Sequence, residues 1–559
     1  TVAQMRHLEQ RSDAAGHDYA AMMERAGHAV AAAVRARIAP GAAVLVLVGP
    51  GNNGGDGLVA ARYLAAWGFR AEVYIWRRGA GEEGLDPNLA IATELGIPIV
   101  HAAQDPDHAR LVEQVRRCDA VVDALLGTGI TGALRDDLAA LLQVVRGELD
   151  RGREDRNDRE ASPVLRDPAT PDPRAWRAPR PPVIAVDAPS GLDCDTGAID
   201  ARALRADVTV TFACPKRGQY LSPGAGHVGT LLVADIGIPG DVLAEFAREA
   251  FDEVADAELV RALLPRRPAS AHKGTFGKAL IVAGSSNYVG AACLAAQAAC
   301  RAGAGLVTLA VPETIHPIVA SQVTEATYLV LPHDLGVLVP EALRVLEPHL
   351  GEYEALLVGP GIGRERPTAE FLAQLIAGRG GRRGIGFLPG DATGAPARGA
   401  LPPLVVDADA LNVLSGLEGW WEHLPAPAVL TPHPGEMARL TGMRIEEIQR
   451  DRMGVARDAA RRWGQVVVLK GAHTVVSDGA RLTIIPFANP ALATAGTGDV
   501  LAGTIVALLA QGLAPYDAAV CGAYLHGLAA AFWPQRAARA GMVAGDLLPL
   551  LPQALAALA

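Results

Sequence analysis

The stretch ATAGTGDVLAG, residues 493–503, joins a glycine-rich turn to the start of an apolar helix. The run VLAGTIVALLA continues that helix, so the backbone N–H groups of Gly496, Thr497 and Gly498 are expected at its positive end. Glycines let a phosphate approach the backbone, and Asp499 in the first turn can take a proton from a hydroxyl that attacks this phosphate. Alternatively, Thr497 or Asp499 merely caps a buried helix, and this motif alone does not decide between the two interpretations.

The size and composition of the chain predict more than one domain. It has 559 residues, of which 50% are hydrophobic and only 4% aromatic, with 61 glycines. This length exceeds what one core usually organises. Strand-like runs alternate with amphipathic segments, a pattern typical of α/β domains. We therefore predict an α/β fold in two domains, residues 1–245 and 250–559.

Charge and cysteine usage exclude several classes of function. The net charge is −10 and no basic tract stands out, so a nucleic-acid partner is not expected. The six cysteines are scattered without a CxxC pair, which favours a reducing compartment over a zinc site or a disulfide framework. No apolar run is long enough to cross a bilayer, and TVAQMRHLEQ has no signal-peptide pattern. We predict a cytoplasmic protein that does not bind membranes.

Lysine is rare in this chain. Only four of the 51 basic residues are lysines, and all four lie in Gly- or Pro-containing loops next to predicted strands. In a chain that otherwise uses arginine, a lysine indicates that a compact ammonium group is required at that place. The four positions are Lys216, Lys273, Lys278 and Lys470.

The first half repeats one design, a strand followed by a loop with polar residues. AVLVLV (43–48) enters the glycine-rich turn GPGNNGGDGL, as in a nucleotide-binding loop, although the spacing matches neither GxGxxG nor a P-loop. Asn52, Asn53 and Asp56 can ligate a hard cation or hydrogen-bond a ribose, whereas a simple turn is the alternative. The loops after the next strands carry Asp123 and Asp187.

These loops are expected to meet in one crevice at the edge of a doubly wound sheet. VIAVDAPSGLDCDTG (183–197) adds Ser190, and DVTVTFACPKRGQYLSPGAGHVG (207–229) adds Lys216 and His227 near the same edge. Residues 147–182 between these blocks are charged and proline-rich, so they are predicted to form a disordered surface loop.

The second half places further chemistry at strand ends. HKGTFGKALIVAGS (272–285) carries Lys273 and Lys278, which could neutralise phosphates, although basic loop residues are more often simply solvated. In PLVVDADALNVL (403–414), Asp407 and Asp409 could hold a hydrated Mg²⁺ or cap the next helix. LTPHPGE (430–436), LKGAHT (469–474) and the GTGD helix complete the set, so one site is predicted where the following residues meet: Asp407, His433, Lys470 and Asp499. Residues 379–402 are predicted to be a mobile insertion.

GPGNNGGDGL, VVDALLGTGITG, VDAPSGLDCDTG and CPKRGQYLSPGAGHVG together resemble the NAD(P)H-hydrate epimerase domain, over about residues 1–240. The resemblance implies a Rossmann-like three-layer α/β/α domain, with a K⁺ ion held by Asn53, Asp123 and Ser190. It implies that Asp187 contacts the reacting ring, where we predict it to be the acid/base. The implied nucleotide contacts are Asn52, Asn53, Gly54, Gly55, Asp56, Gly127, Thr128, Gly129, Ile130, Thr131, Gly132 and Ala133.

HKGTFGKALIVAGS, LTPHPGE, LKGAHT and AGTGDVLAG resemble the ribokinase-like fold and, within it, the ADP-dependent NAD(P)H-hydrate dehydratase domain, over about residues 255–559. The implied contacts to the hydrate are Ala291, Gly361 or Gly363, His433 and Asp499. The implied contacts to the adenine nucleotide are Lys470, Gly471, Ala472, His473, Thr474 and Gly498.

The two resemblances imply repair of hydrated NADH and NADPH. The first domain would interconvert the R and S epimers, and the second would use ADP to phosphorylate the C6 hydroxyl of the S form before phosphate leaves. Asp499 would be the base, and Lys470 with Mg²⁺ would offset the phosphoryl charge. We also expect a homo-oligomer. The alternatives are a ribokinase-like small-molecule kinase with an N-terminal regulatory nucleotide-binding module, and a first half that only binds.

Overall fold

The computed structural model describes residues 1–78, 86–130, 132–157, 180–249, 252–377, 401–425, 427–533 and 541–559. It divides into two compact units, Thr1–Glu249 and Ala250–Ala559. Each unit contains one large sheet built mainly of parallel strands, so the prediction of an α/β fold is confirmed.

The sheet of the first unit has seven parallel strands in the order β3-β2-β1-β4-β5-β6-β7. The order reverses between β1 and β4, which creates a crevice at the carboxyl ends of these strands. This is a Rossmann-like order, as predicted. The strands are β1 (Ala43–Val48), β2 (Arg70–Ile75), β3 (Ile99–His101), β4 (Ala120–Ala124), β5 (Val183–Val186), β6 (Val208–Phe212) and β7 (Thr230–Ala234).

Helices cover both faces of this sheet because its buried strands are apolar on both sides. Val44 and Val46 of β1 belong to one buried cluster, and Leu45 and Leu47 to another. The first cluster includes residues of α2 and α3, and the second residues of α5 and α6. The helices are α1 (Val2–Ala14), α2 (Tyr19–Arg35), α3 (Asn52–Ala66), α4 (Pro87–Glu94), α5 (Ala109–Arg117), α6 (Asp136–Asn157), α7 (Ala225–Val228) and α8 (Gly240–Glu249).

One prediction in this unit needs correction. The segment 147–182 was expected to be a disordered loop, but α6 continues through its first eleven residues, to Asn157. The buried apolar face of the helix extends into this segment as far as Leu149, which is buried together with Leu142 and Val145. Residues 158–179 of the predicted insertion lie outside the described residues, as do residues 378–400 of the second one.

The main sheet of the second unit has ten strands in the order β11-β10-β9-β14-β15-β16-β17-β18-β19-β8, and β12 and β13 form a separate pair. Among the described strands of the large sheet, only β18 runs antiparallel to its neighbours. The strands are β8 (Asp252–Val254), β9 (Lys278–Val282), β10 (Leu306–Pro312), β11 (Thr327–Leu331), β12 (His333–Asp334), β13 (Val337–Leu338), β14 (Ala355–Val358), β15 (Leu404–Val406), β16 (Val429–Leu430), β17 (Val466–Leu469), β18 (Val475–Ser477) and β19 (Leu482–Ile484).

The GTGD stretch begins a helix that is packed into the largest buried cluster of this unit. Small residues allow the close packing: a Cβ on Gly503 would lie 2.1 Å from the carbonyl oxygen of Ala295 on a neighbouring helix. The helices are α9 (Ala257–Leu263), α10 (Val289–Arg301), α11 (His316–Gln322), α12 (Leu343–Leu346), α13 (Arg366–Ala377), α14 (Asp409–Leu414), α15 (Pro434–Thr441), α16 (Ile445–Arg450), α17 (Arg452–Trp463), α18 (Thr497–Ala510), α19 (Pro515–Ala531) and α20 (Ala544–Leu558). Within the described residues, we find no helix with the length and apolar character of a membrane span.

Candidate active sites

The polar residues predicted for the first unit follow the carboxyl ends of its central strands. Asp123 lies in β4, Asp187 follows β5, and Lys216 follows β6. The region 52–56 was expected to be a turn, but it forms the first residues of α3, so the turn is limited to Gly49, Pro50 and Gly51. The start of α3 packs closely against this turn because residue 54 is a glycine: a Cβ there would lie 2.1 Å from the carbonyl oxygen of Gly49.

Asp123 and Ser190 form a buried pair, next to which lies the loop that begins at Gly127. The Ser190 hydroxyl donates to Asp123 Oδ1 at 2.6 Å, and the Ser190 amide donates to Oδ2 at 2.9 Å. Burial raises the pKa of Asp123, and the hydrogen bonds that oppose this shift come from neutral groups. Asn53 lies against Gly127, and its Nδ2 atom is buried without a partner among the described residues.

Asp187 is held by a buried lysine. Lys216 is 2% exposed and donates to Asp187 Oδ1 at 2.6 Å, to Thr211 Oγ1 at 2.8 Å and to the carbonyl oxygen of Phe212 at 3.1 Å. Gln219 donates to the carbonyl oxygen of Asp187 at 2.8 Å, which supports an aspartate backbone with a φ of +61°. Sequence analysis singled out Lys216 but did not identify its partner.

Two further acids lie close enough to Asp187 for its charge to raise their pKa values. Burial raises the pKa of Asp56 well above its ordinary value, and the charges of Asp187 and Glu9 add to the effect. Burial and Asp187 also raise the pKa of Glu9. Glu9 comes from α1, where no motif marks it, so sequence reasoning missed it. Of the predicted loop 127–133, Gly127 lies beside Asn53, and Thr131 is outside the described residues.

Three basic residues that the sequence singled out lie at the other edge of their sheets. His227 precedes β7, and its carbonyl oxygen accepts from Ala206, which precedes β6. Lys278 is the first residue of β9, and the exposed Lys273 lies just before it. In a parallel sheet, the start of a strand is one strand length away from the edge that holds Asp187 or Lys470. The expected placement of His227 at the same edge as Lys216 is therefore wrong, and Lys273 and Lys278 do not lie at the edge that holds Lys470.

In the second unit, Lys470 and Asp407 form the centre of a charged cluster. Asp407 follows β15 and is 1% exposed. Its Oδ1 atom accepts from Lys470 Nζ at 2.7 Å and from Thr431 Oγ1 at 2.6 Å, whereas Oδ2 is buried without a partner in the described part of the chain. Glu436 Oε2 lies 3.8 Å from the same ammonium group. Burial lowers the pKa of Lys470, but Asp407 and Glu436 outweigh it and raise the pKa overall.

His433 caps helix α15 and is half-exposed. Its Nδ1 atom accepts from the amides of Gly435 at 2.9 Å and Glu436 at 3.3 Å, so the ring is neutral with its proton on Nε2. Burial and the Lys470 charge lower the pKa of His433, which agrees with a neutral ring. Burial raises the pKa of Glu436 to about 7. His433 therefore presents an N–H donor beside the charged cluster.

Asp499 lies beside this cluster, in the first turn of α18. Burial and then the Asp407 charge raise its pKa to about 7, while Lys470 lowers it. A Cβ on Gly498 would lie 3.5 Å from Lys470 Nζ, so the start of the helix borders the ammonium group. Thr497 Oγ1 donates backwards to the carbonyl oxygens of Leu492 and Thr494, and no side chain in the described residues caps this helix end. The capping alternative is therefore wrong.

The remaining predicted residues of the second unit lie in the first turn of α10, in the loop after β14 and in the loop after β17. A Cβ on Gly361 would lie 2.9 Å from Ala291 Cβ, so these two residues are neighbours. The Gly363 amide donates to Asp409 Oδ2 at 3.1 Å, and the Asp409 charge contributes to the raised pKa of Asp499.

A hydrogen bond from the Thr474 side chain links the two ends of the predicted nucleotide loop 470–474. Thr474 Oγ1 donates to the carbonyl oxygen of Gly471 at 3.0 Å, and Gly471 itself is exposed. His473 has a φ of +52°, and its amide donates to the carbonyl oxygen of Phe487. Among the described residues, no group of three or more His, Cys, Asp or Glu side chains has the geometry to hold a metal ion.

Comparison with known proteins gives matches in both halves of the chain. Residues 279–553 match the protein family described as NAD(P)H-hydrate dehydratase, and residues 19–218 match one described as YjeF-related protein N-terminus. The chain is 39% identical over 518 residues to the bifunctional NAD(P)H-hydrate repair enzyme Nnr of Moorella thermoacetica, covering 92% of this chain and 87% of that protein. It is 32% identical over 532 residues to the enzyme of the same name from Escherichia coli, covering 95% and 88%.

A solved structure of a dehydratase is also similar to this chain. It is the ADP/ATP-dependent NAD(P)H-hydrate dehydratase from Bacillus subtilis, co-crystallised with ATP and Mg²⁺. The sequence identity is 28% and the TM-score 0.44, and the match covers 55% of this chain and 99% of that one.

Proposed function

The chain belongs to the family of bifunctional NAD(P)H-hydrate repair enzymes, and from this we propose how its two units divide the work. The protein interconverts the R and S epimers of NAD(P)H hydrate and dehydrates the S epimer to NAD(P)H in an ADP-dependent reaction. Epimerisation belongs to the first unit and dehydration to the second.

The observation that carries the dehydratase assignment is the position of Asp499, beside Lys470 at a glycine-lined helix start. Hydroxide is a poor leaving group, so the C6 hydroxyl has to be converted into a better one. Asp499 accepts the hydroxyl proton as this oxygen attacks the β-phosphorus of ADP, and the bond from phosphorus to AMP breaks. Loss of phosphate from C6 and of a proton from C5 then restores the ring double bond.

The groups around Asp499 stabilise the transferring phosphoryl group. The N–H groups at the start of α18 point towards an anion at that position, and Lys470 contributes positive charge. We assign the hydrate contacts to Ala291, Gly361 or Gly363, His433 and Asp499. We assign the nucleotide contacts to Lys470, Gly471, Ala472, His473, Thr474 and Gly498.

A bound Mg²⁺ ion fits the charge balance of this unit. Four carboxylates, those of Asp407, Asp409, Glu436 and Asp499, influence one another around a single lysine. Because Mg²⁺ keeps much of its water and favours phosphate oxygens, Asp409 and the partnerless oxygen of Asp407 would suffice to hold it together with the nucleotide. When bound, it would neutralise phosphate charge.

In the first unit, we assign acid/base chemistry at C6 to Asp187, held in place by Lys216. The first residues of α3, 52–56, and the segment 127–133 contact the hydrated nucleotide. Asn53, Asp123 and Ser190 fit a K⁺ ion, because Asp123 is a buried carboxylate with neutral hydrogen-bond donors, and the partnerless amide of Asn53 can turn its oxygen towards a cation. The cytoplasmic location and the homo-oligomer stay predictions.

The test is to incubate the protein with mixed NADPH hydrate epimers, ADP and Mg²⁺ and to follow the recovery of reduced-nicotinamide absorbance. We expect both epimers to be consumed and AMP to appear. In the Asp187→Ala variant, only the S epimer should react at the enzymatic rate. Failure to recover either epimer would refute the proposal. Accumulation of a stable phosphorylated product would instead favour the small-molecule kinase.

A further inference from the structure

Arg452 is a buried arginine that no part of the proposed mechanism uses. It is the first residue of α17 and is 5% exposed. Its Nη1 atom donates to Gln449 Oε1 at 3.0 Å and its Nη2 atom to the carbonyl oxygen of Leu469 at 2.8 Å. Its Nε atom is buried and has no partner in the described part of the chain. The guanidinium group therefore retains unused donors.

The charge of Arg452 is not balanced by an acid among these partners. Both hydrogen-bond acceptors are neutral, and burial alone lowers the pKa of Arg452, to about 10. At neutral pH the group therefore stays charged. A buried charge without a counter-charge is costly, and an anionic ligand would remove that cost.

The guanidinium group lies directly under the nucleotide loop 470–474. A Cβ on Gly471 would lie 2.9 Å from both Nη1 and Nη2 of Arg452. Gly471 is exposed and has a φ of +150°. Because it has no side chain, only its backbone lies between the guanidinium group of Arg452 and the solvent-exposed side of the loop. A planar group with several donors matches the oxygens of a phosphate.

Lys470 alone does not supply the charge that a diphosphate requires. Its ammonium group is already paired with Asp407 at 2.7 Å and lies 3.8 Å from Glu436. Two acids thus share one lysine, whereas Arg452 next to the same loop has neutral partners. The uncompensated positive charge beside the loop therefore comes from Arg452.

We propose that Arg452 binds the phosphate chain of the adenine nucleotide that occupies loop 470–474. The inference rests on the proposed nucleotide role of that loop. The contribution of Arg452 to the binding affinity should therefore increase with the number of phosphates in the ligand. Binding of the adenosine part of the nucleotide should not depend on Arg452.

Calorimetric titration of the full chain with ADP, AMP and adenosine tests this proposal. In the Arg452→Met variant, we expect the affinity for ADP to fall about 10- to 100-fold, that for AMP to fall less, and that for adenosine to stay unchanged. The matched control is Arg461→Met, on the same helix, because the Arg461 side chain is 66% exposed and donates to the carbonyl oxygen of Gly479. This control should bind all three ligands as the wild type does.

An unchanged ADP affinity in Arg452→Met would overturn the inference, and so would equal losses for ADP and adenosine, which would indicate a purely structural brace. If the methionine variant does not fold, Arg452→Lys decides: a selective loss of ADP affinity supports the proposal, and wild-type ADP affinity overturns it. If the wild type itself does not bind ADP, the proposed nucleotide role of the second unit is refuted, and the inference about Arg452 is refuted with it.

Discussion

Each unit places a lysine after the carboxyl end of a strand, close to a candidate catalytic aspartate, but the two units connect these residues differently. In the first unit, Lys216 contacts the candidate itself, Asp187, at 2.6 Å. In the second, Lys470 contacts a different acid, Asp407, at 2.7 Å, and burial raises the pKa of the candidate Asp499 to about 7. Asp187 therefore lies against a fixed ammonium group, whereas Asp499 has a pKa close to the pH at which it has to accept a proton.

The largest expected effect separates the two sites completely. Asp499→Asn removes the proposed base, so dehydration of the S epimer should slow about 10²- to 10⁴-fold, while epimerisation continues. Asp187→Asn should do the opposite, with a similar loss confined to interconversion of the epimers. Chromatographic separation of the R and S forms measures epimerisation, and AMP release measures dehydration.

The two asparagine variants are each other's controls, because each keeps the shape of its site. If Asp499→Asn still dehydrates the S epimer, the base is wrongly assigned. If either variant lost both activities, the division of labour between the units would be contradicted.

Removing the lysine from the direct pair should cost stability. In Lys216→Met, Asp187 loses its charged partner in a buried environment, which typically costs about 3–5 kcal/mol in the free energy of unfolding. Hydrogen exchange of β5 and β6 amides reports this loss for the first unit. The double variant Lys216→Met with Asp187→Asn should regain much of it, since no unpaired charge is left and asparagine tolerates the φ of +61° at this position. A single variant as stable as the wild type would show that the pair is not strongly coupled.

The sequence revealed where the chemistry lies because strand ends and helix starts are local features. Apolar runs followed by glycine and aspartate placed Asp123, Asp187, Asp407 and Asp499 correctly at the ends of strands or the start of a helix. Parallel topology alone then brings such residues to one edge of each sheet.

The sequence did not reveal which charge pairs with which. Lysine rarity marked Lys216 and Lys470, but the same signal marked Lys273 and Lys278, which lie at the opposite edge because each precedes or begins a strand instead of following one. Glu9 and Arg452 come from helices without a motif. Their roles depend on tertiary contacts across many residues, which no local pattern encodes.

The raised pKa of Asp499 predicts a pH dependence of dehydration. Asp499 acts as a base only when it is ionised, so at saturating ADP the dehydration rate should fall about tenfold per pH unit below about pH 7 and level off above it. Lys470 lowers the pKa of Asp499, so Lys470→Met should shift this limb to higher pH. Burial also raises the pKa of Glu436 to about 7, and the Glu436→Gln variant tests its contribution. If the limb disappears in that variant, Glu436 is the titrating group.

The smallest expected effect concerns the glycine that borders Lys470. A Cβ on Gly498 would lie 3.5 Å from Lys470 Nζ, which is an ordinary contact, so Gly498→Ala should fold normally. The methyl group would nevertheless occupy space where the nucleotide approaches the helix start, and we expect the KM for ADP to rise about three- to tenfold, with epimerisation unchanged. Gly545→Ala is the matched control, because Gly545 is also the second residue of its helix and a Cβ there would meet nothing within 4 Å. Equal KM values for the two variants would mean that the start of α18 is not in contact with the nucleotide, and the second site would then consist of the Lys470 cluster without its anion-binding helix.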